Sequence, residues 1–416
     1  MPVPPMPTTA PARRVSLARA TLLATLFATL PAACDSAPAN IVTPIDWAAP
    51  VLTRAVVLAG LNGPWDIAFT PDGTMLYTEK CRGLSVRHAD GSITRLFGTA
   101  GSTLVAADLA CEGQSGMHGV ALDPQFAVNR RAYIYMASTQ STPRTNRVMR
   151  IVLSADLRSA AGRTDIISDL AFKHVGNAHG GAGAHSGGRI RFGPDGFLYV
   201  TTGDNHDGQI PQSPTVLGGK VLRVTVDGVA APGNDAPAGF DPRIYTYGHR
   251  NVQGIAFRPG TGQPFVTDHG PSYTDEVTGL RAGGNAGWDP ANRPGLICAD
   301  GYCGYAGSPA SMPMTDLSRF PDAMRPSWTN DDASQGIGPA TFLTGSTWGS
   351  WNGSLAVGIM GGRRLVILAL DQAGMARSVT ESGLPATRYR GVTQAPDGSL
   401  YIATDAGEIW RVTPGR

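Results

Sequence analysis

One phrase recurs six times along this 416-residue chain: an apolar alternating stretch, a tight Pro-Asp-Gly-like turn, then a second alternating stretch. It reads IAFTPDGTMLYTEK from Ile67, VALDPQFAVNRRAYIYMAS from Val120, IRFGPDGFLYVTTGD from Ile190 and IAFRPGTGQPFVTDHG from Ile255. It returns in looser form as TFLTGSTWGSWNGSLAVG from Thr341, and again as VTQAPDGSLYIATDAG from Val392. Period-two runs on either side of a turn former make a β-hairpin. A spacing of roughly 60 residues exceeds what a bare four-stranded propeller blade needs, so some blades carry long loops. Further strands fall between the hairpins, such as LSVRHADGSITRLF from Leu84 and KVLRVTVDG from Lys220, and GEIWRVTP from Gly407 fits a strand that closes a ring. The expectation is an all-β chain: one six-bladed β-propeller with four-stranded antiparallel blades, over residues 56–416. A β-sandwich would not repeat one hairpin phrase six times.

Composition agrees and excludes alternatives. The 53 Gly and 32 Pro suit short strands and loops. Apolar residues at 42% exclude intrinsic disorder, and 16% charged residues with a net charge of +2 exclude a nucleic-acid binder held by phosphate neutralisation. The basic residues include only three lysines, Lys80, Lys173 and Lys220, so any anion site is expected to be built from arginine.

Residues 1–34 read as an export signal. Arg13, Arg14 and Arg19 precede an uncharged apolar stretch from Ala20 to Leu30, too short to span a bilayer and ending in small residues. The small residues before Cys34 resemble a bacterial lipoprotein cleavage site, which predicts a lipid on Cys34, a linker over 35–55 and a periplasmic or otherwise extracytoplasmic domain. Setting Cys34 aside leaves four cysteines. An oxidising compartment favours two disulfides, with Cys298 and Cys303 closing a small loop and Cys81 left for Cys111. A zinc site needs clustered ligand pairs at short spacings, and the sequence has none.

A propeller alone says little about function, which must come from the loops at one end of the axis. Gly183-Ala184-His185-Ser186-Gly187-Gly188-Arg189 precedes the third hairpin, and His185 among flexible glycines is suited to act as a general base near neutral pH. The same stretch fails as a serine nucleophile elbow, because it leads into a strand rather than a helix. Arg250 and Asn251, side by side before the fourth hairpin, offer a fork donor and an amide to a planar anion. Alternation through Arg388-Tyr389-Arg390 puts both arginines on one face. Asp268 to Glu276 is rich in oxygen donors, with Asp275 and Glu276 next to a Gly-Pro turn, a pattern that suits calcium.

PWDIAFTPDG, GQSGMHGVALDPQF, HSGGRIRFGPDGFLYVTTGD, YGHRNVQGIAFRP, DHGPSYTDE, GGNAGW and RYRGVTQAPDG occur in the order found in soluble pyrroloquinoline quinone (PQQ)-dependent sugar dehydrogenases. From about Asn62 to the C-terminus the chain resembles that glucose/sorbosone dehydrogenase family. The resemblance implies a six-bladed propeller with PQQ and Ca2+ at its axis. It implies oxidation of an aldose, or of a related sugar aldehyde such as sorbosone, and electrons passed to an external acceptor such as a cytochrome or quinone. By the same resemblance His185 is the base and Asp204 orients it. Gln114 contacts substrate and base, Arg250 and Asn251 lie against the quinone, and Arg388 and Arg390 pair with PQQ carboxylates. The carbonyls of Gly270 and Pro271 ligate calcium, with Asp275 and Glu276 supporting it.

Two departures stand out. Where the family's glucose-oxidising type has a PQQ-contacting lysine, the stretch Gly358 to Arg364 has glycine, leaving Arg363 as a replacement, and the position before the base is Ala184 rather than an acid. Trp328 and Trp348 are either walls of the substrate cleft or core aromatics. The rival functions are a non-catalytic propeller that binds a glycan or protein partner, and a calcium-dependent lactonase. The lactonase does not account for Arg388 and Arg390.

Overall fold

Each recurring phrase becomes the first two strands of one sheet in the computed structural model, which describes residues 49–173, 179–305 and 312–415. The expected export signal and Cys34 lie outside the described residues. Blade 1 comprises Pro64–Phe69, Met75–Glu79, Gly83–Arg87 and Ile93–Gly98, and blade 2 Met117–Leu122, Arg131–Ser138, Thr145–Leu153 and Ala160–Leu170. Blade 3 is Ile190–Phe192, Leu198–Thr201, Val221–Val224 and Ile244–Tyr247, and blade 4 is Val252–Phe257, Pro264–Asp268, Glu276–Gly279 and Trp328–Thr329. Blade 5 is Ile337–Phe342, Leu355–Ile359, Arg364–Leu370 and Ala376–Glu381. Blade 6 takes Tyr389–Gln394, Leu400–Thr404 and Glu408–Pro414 from the C-terminal end and Leu52–Leu58 from the N-terminal end. The protein is therefore a six-bladed β-propeller whose last sheet is knitted from both ends of the fold.

Two details differ from expectation. Strand Leu52–Leu58 begins inside the stretch read as linker, and pairs antiparallel with Glu408–Pro414. Blades 1 and 3 each add a fifth, two-residue strand in parallel, Leu104–Val105 and Gly284–Asn285.

The turn chemistry explains why the hairpin phrase repeats. In blades 1, 3 and 6 the N–H groups of Gly73, Gly196 and Gly398 donate to the carbonyls of Thr70, Gly193 and Ala395, each at 2.9 Å. Those glycines have φ of 87°, 79° and 83°, the left-handed residue that follows a type I turn in a three-residue hairpin loop. Alternation has an equally direct cause, because each blade is covered on both faces. In strand Arg131–Ser138, Ile134 and Met136 join the apolar cluster shared with blade 1, while Tyr133 and Tyr135 join the one shared with blade 3. A similar cluster fills every other gap between neighbouring blades. Trp348 belongs to one of these clusters and Trp328 packs against another, so both are core aromatics.

The first strand of each blade packs against the first strand of the next, which closes the ring around an axis. Arg189 plugs that axis. Its buried guanidinium donates to the carbonyls of Gln253 (3.3 Å), Trp65 (3.4 Å) and Arg390 (2.9 Å), which belong to three other blades, and it pairs with Asp66 at 2.5 Å. It also lies 4.0 Å over the Trp65 ring. Arg191 forks onto the same carboxylate at 2.7 and 2.8 Å. Burial alone would raise the Asp66 pKa, but the two guanidiniums outweigh it and hold the carboxyl below its usual value.

Candidate active site

Above the Arg189 plug lies an axial cavity of about 650 Å³, to which all six blades contribute. His185, Gln114, Asn251, Arg388 and Arg390, singled out in the sequence, all line it. Its size is that of a small-molecule site.

His185 is buried with a backbone φ of 51°, a left-handed conformation uncommon for a non-glycine residue and typical of functional sites. Its Nδ1 lies 2.6 Å from Oδ1 of Asp204, a residue with no solvent exposure. Asp204 is itself clamped: Oδ1 also accepts the His206 N–H at 3.0 Å, and Oδ2 accepts Trp288 Nε1 and Tyr302 Oη, each at 2.9 Å. An Asp on Nδ1 fixes the tautomer and leaves Nε2 as the basic atom. Burial, followed by the nearby positive charge of Arg250, pushes His185 well below the usual imidazole range, so the ring is neutral and can accept a proton at physiological pH. Gly187 meets the same loop constraint. Its φ is 62°, and a Cβ there would come within 2.6 Å of Thr202 Cα.

Asn251 and Arg250 are held from behind by Asp268, whose Oδ1 and Oδ2 accept their backbone N–H groups at 2.6 and 3.0 Å. The Asn251 side chain reaches the cavity. Arg250 does not. It is fully buried, with Nη1 donating to the carbonyls of His269 (2.6 Å) and Gly270 (2.8 Å) and Nη2 to the Tyr305 hydroxyl (2.9 Å). Tyr305 and His269 present themselves to the cavity in its place.

The calcium ligands do not assemble. The Gly270 carbonyl is occupied by Arg250 and by His269 Nδ1 at 2.8 Å. Asp275 spends both carboxylate oxygens on loop donors, Gly270 N and Ser334 Oγ on one, Gln335 N and Asn330 Nδ2 on the other. Glu276 turns to Thr315 Oγ1 and lines a separate pocket, and burial with the Asp268 and Asp275 charges pushes its carboxyl up to about 8. Pro271 follows Gly270 in the same loop and is not among the residues lining the axial cavity. No cluster of three or more His, Cys, Asp or Glu suited to a metal exists among the described residues. The Asp-Glu pair next to a Gly-Pro turn is a loop anchor.

The arginine pair, in contrast, reaches the cavity. Arg388 and Arg390 both donate to Asp405, at 2.8 and 2.7 Å, and share one side of the cavity with it. Three further lining residues were not legible as site residues. His118 is stacked on Trp65 with centroids 4.6 Å apart, and burial takes its pKa down to about 3. His206 brings its Nε2 to 2.7 Å from the Nε2 of His185. Lys80 joins the arginine side from blade 1, so the expectation of an anion site made of arginine alone needs correcting. Arg363 is exposed and is not among the cavity-lining residues; Met360 lines that side instead. Both expected disulfides are present, Cys81–Cys111 and Cys298–Cys303, each with Cα atoms 5.4 Å apart.

The glucose/sorbosone dehydrogenase family model matches residues 61–411, and the chain belongs to that family. Its closed ring, axial cavity and histidine–aspartate pair are thus those of a sugar dehydrogenase, an oxidoreductase. The chain is 28% identical to aldose sugar dehydrogenase YliI of Escherichia coli, over 88% of this chain and 95% of that protein. It is 30% identical to an uncharacterised Synechocystis protein, over 91% and 90% of the two chains. Among solved structures it is similar to the PQQ-bound form of aldose sugar dehydrogenase from Streptomyces coelicolor, with a TM-score of 0.65 at 25% identity, covering 88% of this chain and 99% of that one.

Proposed function

We propose that the protein is a PQQ-dependent dehydrogenase that oxidises aldose sugars, or related sugar aldehydes such as sorbosone, at the anomeric carbon. The observation that carries this reading is one cavity that holds a neutral, Asp204-oriented imidazole together with Arg388 and Arg390, whose charge Asp405 only partly offsets. A tricarboxylate fits such a cradle, since guanidinium groups pair with carboxylates in a bidentate fashion.

When bound, PQQ supplies the two-electron acceptor, which the protein's own side chains cannot. The chain's part is to bind and to move one proton. Arg388 and Arg390 hold carboxylates, and Asn251 offers its amide to the cavity. His185 takes the sugar hydroxyl proton at Nε2, exchanging its 2.7 Å contact with His206 Nε2 for the hydroxyl, while Asp204 keeps the ring in place and steadies the imidazolium that forms. Gln114 lines the same cavity, its main-chain carbonyl facing His118 Nε2 at 3.1 Å, and in this reading its side chain contacts substrate and base. The Gly270 carbonyl and the Asp275 and Glu276 carboxylates are engaged by protein donors, and no step here is routed through calcium.

The signal-like N-terminus supports a periplasmic site of action, with a lipid on Cys34 as tether and a cytochrome or quinone as the electron acceptor. Reconstituting the purified protein with PQQ and following sugar-dependent dye reduction tests the reading. Turnover of at least one aldose is expected. No turnover with any aldose, and no quinone absorbance retained after desalting, would leave a non-catalytic propeller.

A further inference from the structure

The charges on the arginine side of the cavity do not balance. Lys80, Arg388 and Arg390 are three cations, and the carboxylate that acts on them is Asp405, so two positive charges stay uncompensated. Lys80 follows the second strand of blade 1, whereas the arginines flank and begin the first strand of blade 6, so the cations approach the cavity from different blades.

Lys80 is held there by several independent constraints. Its Nζ donates to the Gly113 carbonyl at 2.6 Å, and its own carbonyl accepts the Met117 N–H at 2.8 Å. Its neighbour Cys81 is bridged to Cys111, two residues before Gly113. Its stem runs so close to Gly116, whose φ is 148°, that a Cβ there would come within 2.4 Å of Lys80 Cγ. A half-buried ammonium held beside Arg390 has lost water and gained a like charge, and both effects depress its pKa. An anion between Lys80 and the arginines would relieve that repulsion.

We infer that Lys80 is a cofactor anchor: its ammonium binds a carboxylate of PQQ opposite Arg388 and Arg390, and so makes up for the lysine this chain lacks in blade 5. The inference rests on the PQQ reading above. Lys keeps two N–H bonds free after serving Gly113, enough for one carboxylate. A charge-assisted bond of this kind is worth a factor of roughly 10 to 100 in affinity.

The test is binding. Apo-protein is titrated with PQQ, and separately with PQQ trimethyl ester, by isothermal calorimetry or quenching of tryptophan fluorescence. For Lys80→Gln the PQQ Kd should rise roughly 10- to 100-fold, while the ester, which carries no carboxylate charge, binds wild type and variant alike. Lys80→Arg should stay within a few-fold of wild type. If Lys80→Gln weakens both ligands equally, Lys80 merely shapes the loop and the inference falls; an unchanged PQQ Kd overturns it as well. Failure of the wild-type protein to bind PQQ at all would instead overturn the parent reading.

Discussion

The Nε2 atoms of His185 and His206 face each other at 2.7 Å, and the other nitrogen of each ring is already engaged, by Asp204 at 2.6 Å and by the His179 carbonyl at 2.9 Å. The neighbours that bear on this pair are Asp204, Arg250, His269, Lys173, His179, Tyr302 and Tyr305. A proton on either ring opposes a second on the other. Burial, then the charge of His185, takes the His206 pKa down to about 3. Replacing His185 with glutamine removes the second of these causes, so His206 should titrate at higher pH, read from its imidazole signals by NMR. An unmoved His206 would show that the two rings do not communicate.

His185→Gln should also lower kcat by about 10²- to 10⁴-fold while PQQ binds as before. Turnover within a few-fold of wild type would remove His185 from the role of base.

The pH profile carries a second signature of the same residue. A base whose pKa lies well below 6.5 is in its active, neutral form at and above that pH. The kcat/KM of the PQQ-loaded enzyme should therefore stay flat as pH falls from 8 to 6.5, and decline only further into acid. An acid limb with its midpoint at or above pH 6.5 contradicts the burial argument.

Asp66 is the hub of the axial plug. Asp66→Asn leaves the buried Arg189 and the half-buried Arg191 short of a counter-charge, a loss of about 3–5 kcal/mol for a broken buried pair. Because its folded pKa is lowered, the contribution of Asp66 is fully present above the unfolded value of 3.8 and fades as pH falls through the folded pKa. The gap in stability between wild type and Asp66→Asn, followed by denaturant melts, should close towards strongly acidic pH.

The Cys81–Cys111 bridge closes a loop of 30 residues that carries Lys80 at one end and leads to Gln114 at the other. Replacing both cysteines with serine should cost about 3–4 kcal/mol on the loop-entropy estimate, together with weaker PQQ binding. Full stability with unchanged affinity would mean that packing alone holds this rim.

The blades were legible because a Pro-Asp-Gly turn and period-two alternation are local rules, repeated six times. The strand Leu52–Leu58 was missed because LTRAVVL carries no turn of its own, and its partner lies at the far end of the chain. His185, Asp204, Asn251 and the arginine pair could be placed because each sits in a motif that the hairpins carry to the axis. Lys80, His118 and His206 escaped notice for the opposite reason. They are unremarkable within their own loops, and only closure of the ring brings them into one cavity. The surroundings of the Asp275–Glu276 pair were not legible because most donors to it, from Thr315 to Gln335, lie 39 to 60 residues further along the chain.

Arg189 and Asp66 have a further consequence. Arg189 holds the carbonyls of Trp65, Gln253 and Arg390, all of which line the cavity, so three blades meet the cofactor site on one fixed frame. On the proposed PQQ reading the reduced cofactor keeps the electrons between the two half-reactions, so product leaves before the acceptor arrives. Double-reciprocal plots at several acceptor concentrations should give parallel lines, the mark of a two-stroke cycle in which one visitor departs before the next arrives.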